Sequence, residues 1–105
     1  MGIRLNEGTD QKSGHLEFYM TGLDLFQDFD KVVKQVADVP DIKEVERVEG
    51  LFFRIGKFDS RELRFHIVYS EDVGTYAFST DDTDQSNERL RQLLKGVVDE
   101  MNRIA

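Results

Sequence analysis

The chain has 105 residues and no cysteine; about 39% of its side chains are hydrophobic, 33% are charged, and the formal net charge is −7. This size and balance are typical of one core, so we interpret residues 1–105 as one α+β domain. The absence of cysteine excludes disulfides, thiolate metal sites and cysteine nucleophiles, and the net negative charge disfavours nucleic acid as a partner.

The N-terminal segment 1–14 is mostly polar, with Ile3 and Leu5 as its large apolar residues. It can add a short edge strand, and its second half has the composition of a loop. It lacks the apolar run of a signal peptide, and the chain has no stretch of about 18 apolar residues. We therefore expect a cytoplasmic protein that does not bind membranes.

A strand and a helix are predicted next. Apolar and polar residues alternate over 15–21, which predicts a half-buried strand. Apolar residues then recur at three- and four-residue steps and predict a helix. They are Leu25, Phe26, Phe29, Val32, Val33 and Val36. Thr21 and Asp24 have the spacing of a capping box, and Pro40 is expected to end the helix.

Residues 42–49 fit two structures. Ile42, Val45 and Val48 recur every three residues, which suits a single helical turn. The valine-rich composition before Gly50 also suits an edge strand, in which the charged residues Lys43, Glu44, Glu46 and Arg47 would discourage pairing with other chains. We prefer the strand.

Three strands follow, over 51–58, 63–70 and 75–80. A three-residue loop at 59–61 would place Ile55 opposite Phe65, and a loop at 71–74, with Gly74 at positive φ, would place Tyr69 opposite Tyr76. This register turns one apolar set inward. On the central strand the inward set is Leu63, Phe65, Ile67 and Tyr69.

The last element is a helix with an apolar stripe that continues almost to the C-terminus. The stripe consists of Leu90, Leu93, Leu94, Val97, Val98, Met101 and Ile104. Aspartates at 81, 82 and 84 precede it, where side-chain acceptors and negative charge favour a helix start.

The fold class is therefore α+β: an antiparallel sheet of about five strands, in the order strand, helix, four strands, helix, with two helices on one face. This order resembles the arrangement shared by the TATA-box-binding-protein-like and helix-grip architectures. The resemblance concerns element order alone and implies no activity.

The predicted register also defines a candidate binding site on the second face of the sheet. That face would present Phe52, Arg54, Phe58, Arg64, His66, Val68, Ala77 and Ser79. Arg54, His66 and Ser79 would lie side by side on three strands, and the guanidinium and imidazole groups could bind a carboxylate or phosphate. An exposed aromatic patch on the same face would suit a protein partner or a homodimer.

Catalytic and metal sites are not predicted. Ser79, His66 and Asp81 or Asp59 have the residue types of a triad, but no nucleophile elbow surrounds Ser79. The run 82–93 resembles a calcium loop only in part, since Asn87 and Leu93 replace the required Gly and Glu. His15 and His66 do not have metal-ligand spacing, and no motif indicates a cofactor.

The sequence thus favours a non-enzymatic protein-interaction module of the adaptor, chaperone or immunity type. It would bind a partner, or a second copy, through the outer sheet face or an edge strand, and its acidity favours a basic partner. The alternative is a domain that binds a small anion or other small ligand through the Arg54, Arg64 and His66 stripe.

Overall fold

In the computed structural model, which describes residues 2–104, the chain forms one antiparallel sheet of six strands and two helices. In chain order these are β1 (Arg4–Thr9), β2 (Leu16–Thr21), α1 (Asp28–Ala37), β3 (Lys43–Glu49), β4 (Phe53–Asp59), β5 (Arg64–Ser70), β6 (Gly74–Ser79) and α2 (Asp84–Ile104). The predicted α+β class is confirmed.

The strands lie in the order β1-β2-β6-β5-β4-β3. The additional N-terminal edge strand is β1, which brings the sheet to six strands rather than about five. Residues 43–49 form the opposite edge strand, β3, as preferred over the helical turn. A register shift between Glu44 and Glu46 interrupts its pairing with β4, and such irregularities, together with charged side chains, protect edges from aggregation.

The core lies between one face of the sheet, the inner face, and the helices α1 and α2. Its members come from β2, β4, β5, β6, both helices and the loops before α1 and β5. The largest fully buried side chains are Phe18, Phe29, Phe58, Phe65, Met20, Ile67, Leu90 and Leu94. Burying this much apolar area at one interface is the main term that stabilises the fold.

Helix α1 begins later than predicted. Phe29, Val32, Val33 and Val36 are buried, as the spacing requires, but Leu25 and Phe26 precede the helix and are exposed. The predicted capping box is wrong: Thr21 lies in β2, where its hydroxyl accepts a hydrogen bond from Asn6. Instead, Asp28 accepts the backbone N–H of Leu25 at 3.0 Å.

Helix α2 has the predicted polar start. Thr83 Oγ1 accepts the backbone N–H of Ser86, three residues later, and Asp81 accepts the Ser86 hydroxyl. These contacts satisfy groups that a helix start leaves without partners. The predicted apolar stripe is largely buried, except that Ile104 at its end is 61% exposed.

The central strand β5 faces as predicted. Phe65, Ile67 and Tyr69 are buried under the helices, whereas Arg64 and His66 point to the other face, which we call the outer face. The two strands that pair with β5, namely β4 and β6, do not follow the predicted register. Each is shifted so that its faces are exchanged.

For β4 the shift originates in the loop. Asp59 pairs with Arg64, so the loop contains four residues, 60–63, instead of three. Phe58 then opposes Phe65 and Arg54 opposes Tyr69, which turns both Phe58 and Arg54 inward. Ile55, predicted to be in the core, lies on the outer face.

For β6 the reason lies in helix packing. Ser70 pairs with Gly74, whose φ is +91°, so Ala77 opposes Ile67 and Ser79 opposes Phe65. The small residues Thr75, Ala77 and Ser79 thus lie beneath α2 and the loop before α1, where close approach favours small side chains. Tyr76 and Phe78 face outward.

Candidate functional site

The predicted stripe of Arg54, His66 and Ser79 does not form. Arg54 and Ser79 lie on the inner face, His66 lies on the outer face, and the sheet separates them. The prediction of a shared face was wrong because β4 and β6 are each shifted against β5. An imidazole and a hydroxyl on opposite faces also cannot form the serine–histidine pair of a hydrolase.

Arg54 is instead the centre of an ion-pair network beneath α1. Its Nη1 and Nη2 atoms donate to the two Asp30 carboxylate oxygens at 2.9 and 2.8 Å, and Nη2 also donates to Glu49 at 2.9 Å. The guanidinium carbon lies 4.6 and 4.8 Å from the ring centroids of Phe26 and Phe29. Hydrogen bonding to Arg54 lowers the pKa of Asp30. With its charge already matched, Arg54 joins α1 to the sheet.

Ser79 belongs to a polar network at the start of α2. Its fully buried hydroxyl donates to Asn87 Oδ1 at 2.8 Å and accepts the backbone N–H of Asp82 at 3.2 Å. Asp82 in turn accepts from the Asn87 amide and from the backbone N–H of Leu16, and these hydrogen bonds lower its pKa. The network connects β6, α2 and β2, which is a structural role.

We expect Ser79→Ala to lower the free energy of unfolding by about 1–3 kcal/mol, because it leaves the Asp82 N–H and the Asn87 carbonyl without their shared partner. Urea denaturation monitored by circular dichroism measures the effect. Ser70→Ala, at the end of β5, is the control, because Ser70 is partly exposed, and it should change stability by no more than about 0.5 kcal/mol. Equal effects of the two substitutions would show that the buried hydroxyl does not matter.

The other three predicted site residues are dispersed. Phe58 is 1% exposed and stacks on Phe65 with 5.2 Å between ring centroids, so it is a core residue. Arg64 is exposed, and its Nε atom lies 3.7 Å from Oδ1 of Asp59. Phe52 is 64% exposed in the β3–β4 turn, and only this residue of the three remains available as part of an apolar surface.

The outer face carries a row of large side chains that crosses five strands. The row consists of Tyr19, Tyr76, Val68, Ile55 and Val48, each paired in register with the next, and we call it the outer row. Phe78 and His66 lie beside it, with 5.1 Å between their ring centroids. Because α1 and α2 both pack on the inner face, neither helix covers the outer row. Its neighbours on the sheet bury Val68 and leave the other four side chains half-buried.

Negative charge borders the outer row at the β2 end. The Tyr19 hydroxyl donates to Glu17 at 2.5 Å, and this hydrogen bond raises the pKa of Tyr19 to about 12. Burial, followed by the charges of Glu17 and Asp10, raises the pKa of Tyr76. On the other side of the row, burial and the charge of Lys57 lower the pKa of His66. The tyrosine end of the row therefore lies in a negative field.

A groove of about 890 Å³ opens between α1, the end of α2 and the segment before β1. Its lining combines apolar and charged side chains, with Lys34, Asp38 and Glu100 among the charged ones. The apolar side chains are Ile3, Leu23, Leu25, Met101 and Ile104. Within residues 2–104, no group of three or more potential metal-binding side chains is found. In the same residues neither helix is both long and apolar enough to cross a membrane.

Comparison of the chain with protein-family models, curated proteins and solved structures gives no match. Its function therefore has to be inferred from its own surfaces.

The sequence interpretation missed two members of the outer row, since Ile55 and Tyr76 were predicted to be in the core, whereas Val68 was predicted on this face. One signal was present in 75–79, where small and aromatic residues alternate. Small side chains at every second position are typical of a strand face beneath a closely packed helix, which leaves the aromatic residues for the opposite face.

Proposed function

We propose that the protein is a non-catalytic protein-interaction module that binds a basic protein partner through the outer face of its sheet. The observation that carries this proposal is the outer row, a continuous set of tyrosine and aliphatic side chains that the helices leave uncovered. Contiguous apolar surfaces of this kind mark interaction sites in soluble proteins. Tyrosine is also among the side chains that contribute most to interfaces.

The charge of the chain favours a basic partner over a second copy. A net charge of −7 speeds encounter with a cationic surface, whereas two copies repel each other. Glu17 and Asp10 place negative potential next to the tyrosine end of the row. A lysine or arginine side chain of the partner could contact these rings by its apolar stem and by cation–π attraction.

A peptide library displayed on phage and selected against the immobilised protein tests the proposal. We expect enriched peptides to combine basic and aromatic residues, and to shift backbone amide resonances of β2, β5 and β6. The double variant Ile55→Thr with Tyr76→Thr keeps residues that favour strands and should weaken peptide binding at least about 10-fold, since each lost anchor costs on the order of 1 kcal/mol or more.

Gln92→Ala with Lys95→Ala, on the exposed side of α2, is the matched control and should bind the peptides as the wild type does. Peptides that bind the outer-face variant equally well, or a library that yields no enrichment on the wild type over that variant, would overturn the proposal. Sedimentation equilibrium of both proteins adds a further check, because a dimer that the outer-face substitutions abolish would identify a second copy as the occupant.

A further inference from the structure

A second apolar surface lies at one end of the sheet, where three loops meet. These are the β2–α1 loop (residues 22–27), the β3–β4 turn (50–52) and the β5–β6 turn (71–73). The backbone N–H of Glu71 donates to the Phe52 carbonyl at 3.1 Å, which joins the two turns. Thr75 Oγ1 donates to the Leu23 carbonyl at 2.8 Å and holds the β2–α1 loop against β6.

Most of the exposed large apolar side chains of residues 2–104 gather at this end. Of eight such side chains, six lie here, and we call this set the apolar end. They are Leu25, Phe26, Leu51, Phe52, Phe53 and Val73. Leu51, at the tip of its turn, is 89% exposed. Single exposed apolar residues are common on protein surfaces, but a group of five on adjoining loops, with a sixth at the start of β4, is typical of a contact site.

The apolar end is held in place. Phe26 packs edge-on against Tyr69, with 5.7 Å between ring centroids, and beneath the Arg54 guanidinium. The backbone N–H of Gly50 donates to the Phe53 carbonyl at 2.9 Å and closes the β3–β4 turn. A Cβ atom on Gly50 would lie 2.2 Å from the Phe53 ring, so glycine allows that ring to cover the turn. A fixed turn loses little conformational entropy when it binds.

The charge of these loops restricts what they can contact. The three loops contain Asp24, Glu71 and Asp72 and no lysine or arginine. The nearby Arg54 already pairs with Asp30 and Glu49. An anionic lipid surface would therefore be repelled, and so would the same end of a second copy.

We infer that the apolar end is an anchor that inserts Leu51 and Phe52 into an apolar cleft of a partner protein whose rim carries lysine or arginine. Large side chains at the tip of a rigid turn can fill a desolvated pocket, where binding energy concentrates. The flanking carboxylates would then face the basic rim. This site goes beyond the outer face proposed above, and Phe53 alone belongs to the margin of both surfaces.

Photo-crosslinking in cells of the native host tests the inference. Phe52→p-benzoylphenylalanine places the reactive group in the anchor, and Lys95→p-benzoylphenylalanine on α2 is the control. We expect a protein that crosslinks at position 52 and not at position 95. Identified and purified, it should have a basic-rimmed cleft, bind the full chain, and lose at least about 100-fold in affinity to Leu51→Ser with Phe52→Ser.

The binding should weaken as salt is added, and Asp24→Asn, Glu71→Gln and Asp72→Asn together should slow association. Ile55→Thr with Tyr76→Thr separates the two proposals, since it disables the outer face and leaves the anchor intact. Crosslinking at position 52 no stronger than at position 95 would overturn the inference. Co-sedimentation of the wild type, but not the Leu51/Phe52 variant, with vesicles of phosphatidylcholine and phosphatidylglycerol would also overturn it.

Discussion

Replacing Arg54 by alanine is expected to lower the free energy of unfolding by about 2–4 kcal/mol, although arginine is usually a surface residue. The side chain is 7% exposed and lies against the rings of Phe26 and Phe29. Its removal leaves a cavity beneath α1 and separates the helix from β4. Asp30 and Glu49 remain half in water, which limits the cost of leaving them unpaired. Urea denaturation with a two-state analysis measures the loss.

Arg64→Ala is the matched control, because Arg64 belonged to the same predicted stripe but is exposed, and it should change stability by no more than about 0.5 kcal/mol. Arg54→Met separates the contribution of side-chain packing to stability from that of the ion pairs. It keeps most of the packing, loses the ion pairs, and removes the buried Nε atom, which has no hydrogen-bond partner within residues 2–104. Equal and small effects of Arg54→Ala and Arg64→Ala would mean that β4 has the register predicted from sequence.

Elements whose apolar residues have one consistent period could be predicted from the sequence. Helix α2 and the central strand β5 are of this kind, because only one of their faces is apolar enough to be buried. The additional edge strand and the strand at 43–49 could also be predicted from residue composition. Local chemistry was therefore enough for element type and for the α+β class.

The register of β4 could not be predicted from the sequence, since both of its faces carry apolar residues. Leu51, Phe53 and Ile55 alternate with Phe52, Gly56 and Phe58, so the period of two fits either orientation. The choice depends on a four-residue loop at 60–63 and on carboxylates from α1 and β3 that meet Arg54. Those carboxylates are distant in sequence, and no local pattern indicates that they will be neighbours.

The candidate site depended on this choice. The assumed loop length placed Arg54 on the solvent face, and the pairing with Asp30 and Glu49 that makes its burial acceptable could not be foreseen from the sequence. The exchange of faces left the outer face more aromatic than predicted and about as basic, because Lys57, which pairs with His66, takes the place of Arg54. Tyr76 and Phe78 lie on it where Ala77 and Ser79 were predicted, and these larger side chains favour protein binding.

Phe58→Ala should be among the most destabilising substitutions in the chain, with an expected loss of about 3–5 kcal/mol. The ring is 1% exposed and stacks on Phe65, so its removal forfeits apolar burial and leaves a cavity next to a second fully buried ring. Phe52→Ala removes the same number of atoms only six positions earlier. At 64% exposure its expected effect on stability is no more than about 0.5 kcal/mol.

The substitutions Phe58→Ala and Phe52→Ala also separate an effect on folding from an effect on binding. If the apolar end is an anchor, Phe52→Ala lowers affinity for the crosslinked partner while the midpoint of urea unfolding stays near that of the wild type. Phe58→Ala shifts the midpoint, and at low urea, where it is still folded, it binds as the wild type does. A Phe58→Ala protein as stable as the wild type would place that side chain on the outer face. It would thereby reject the inward register of β4, on which both the ion-pair network and the outer row depend.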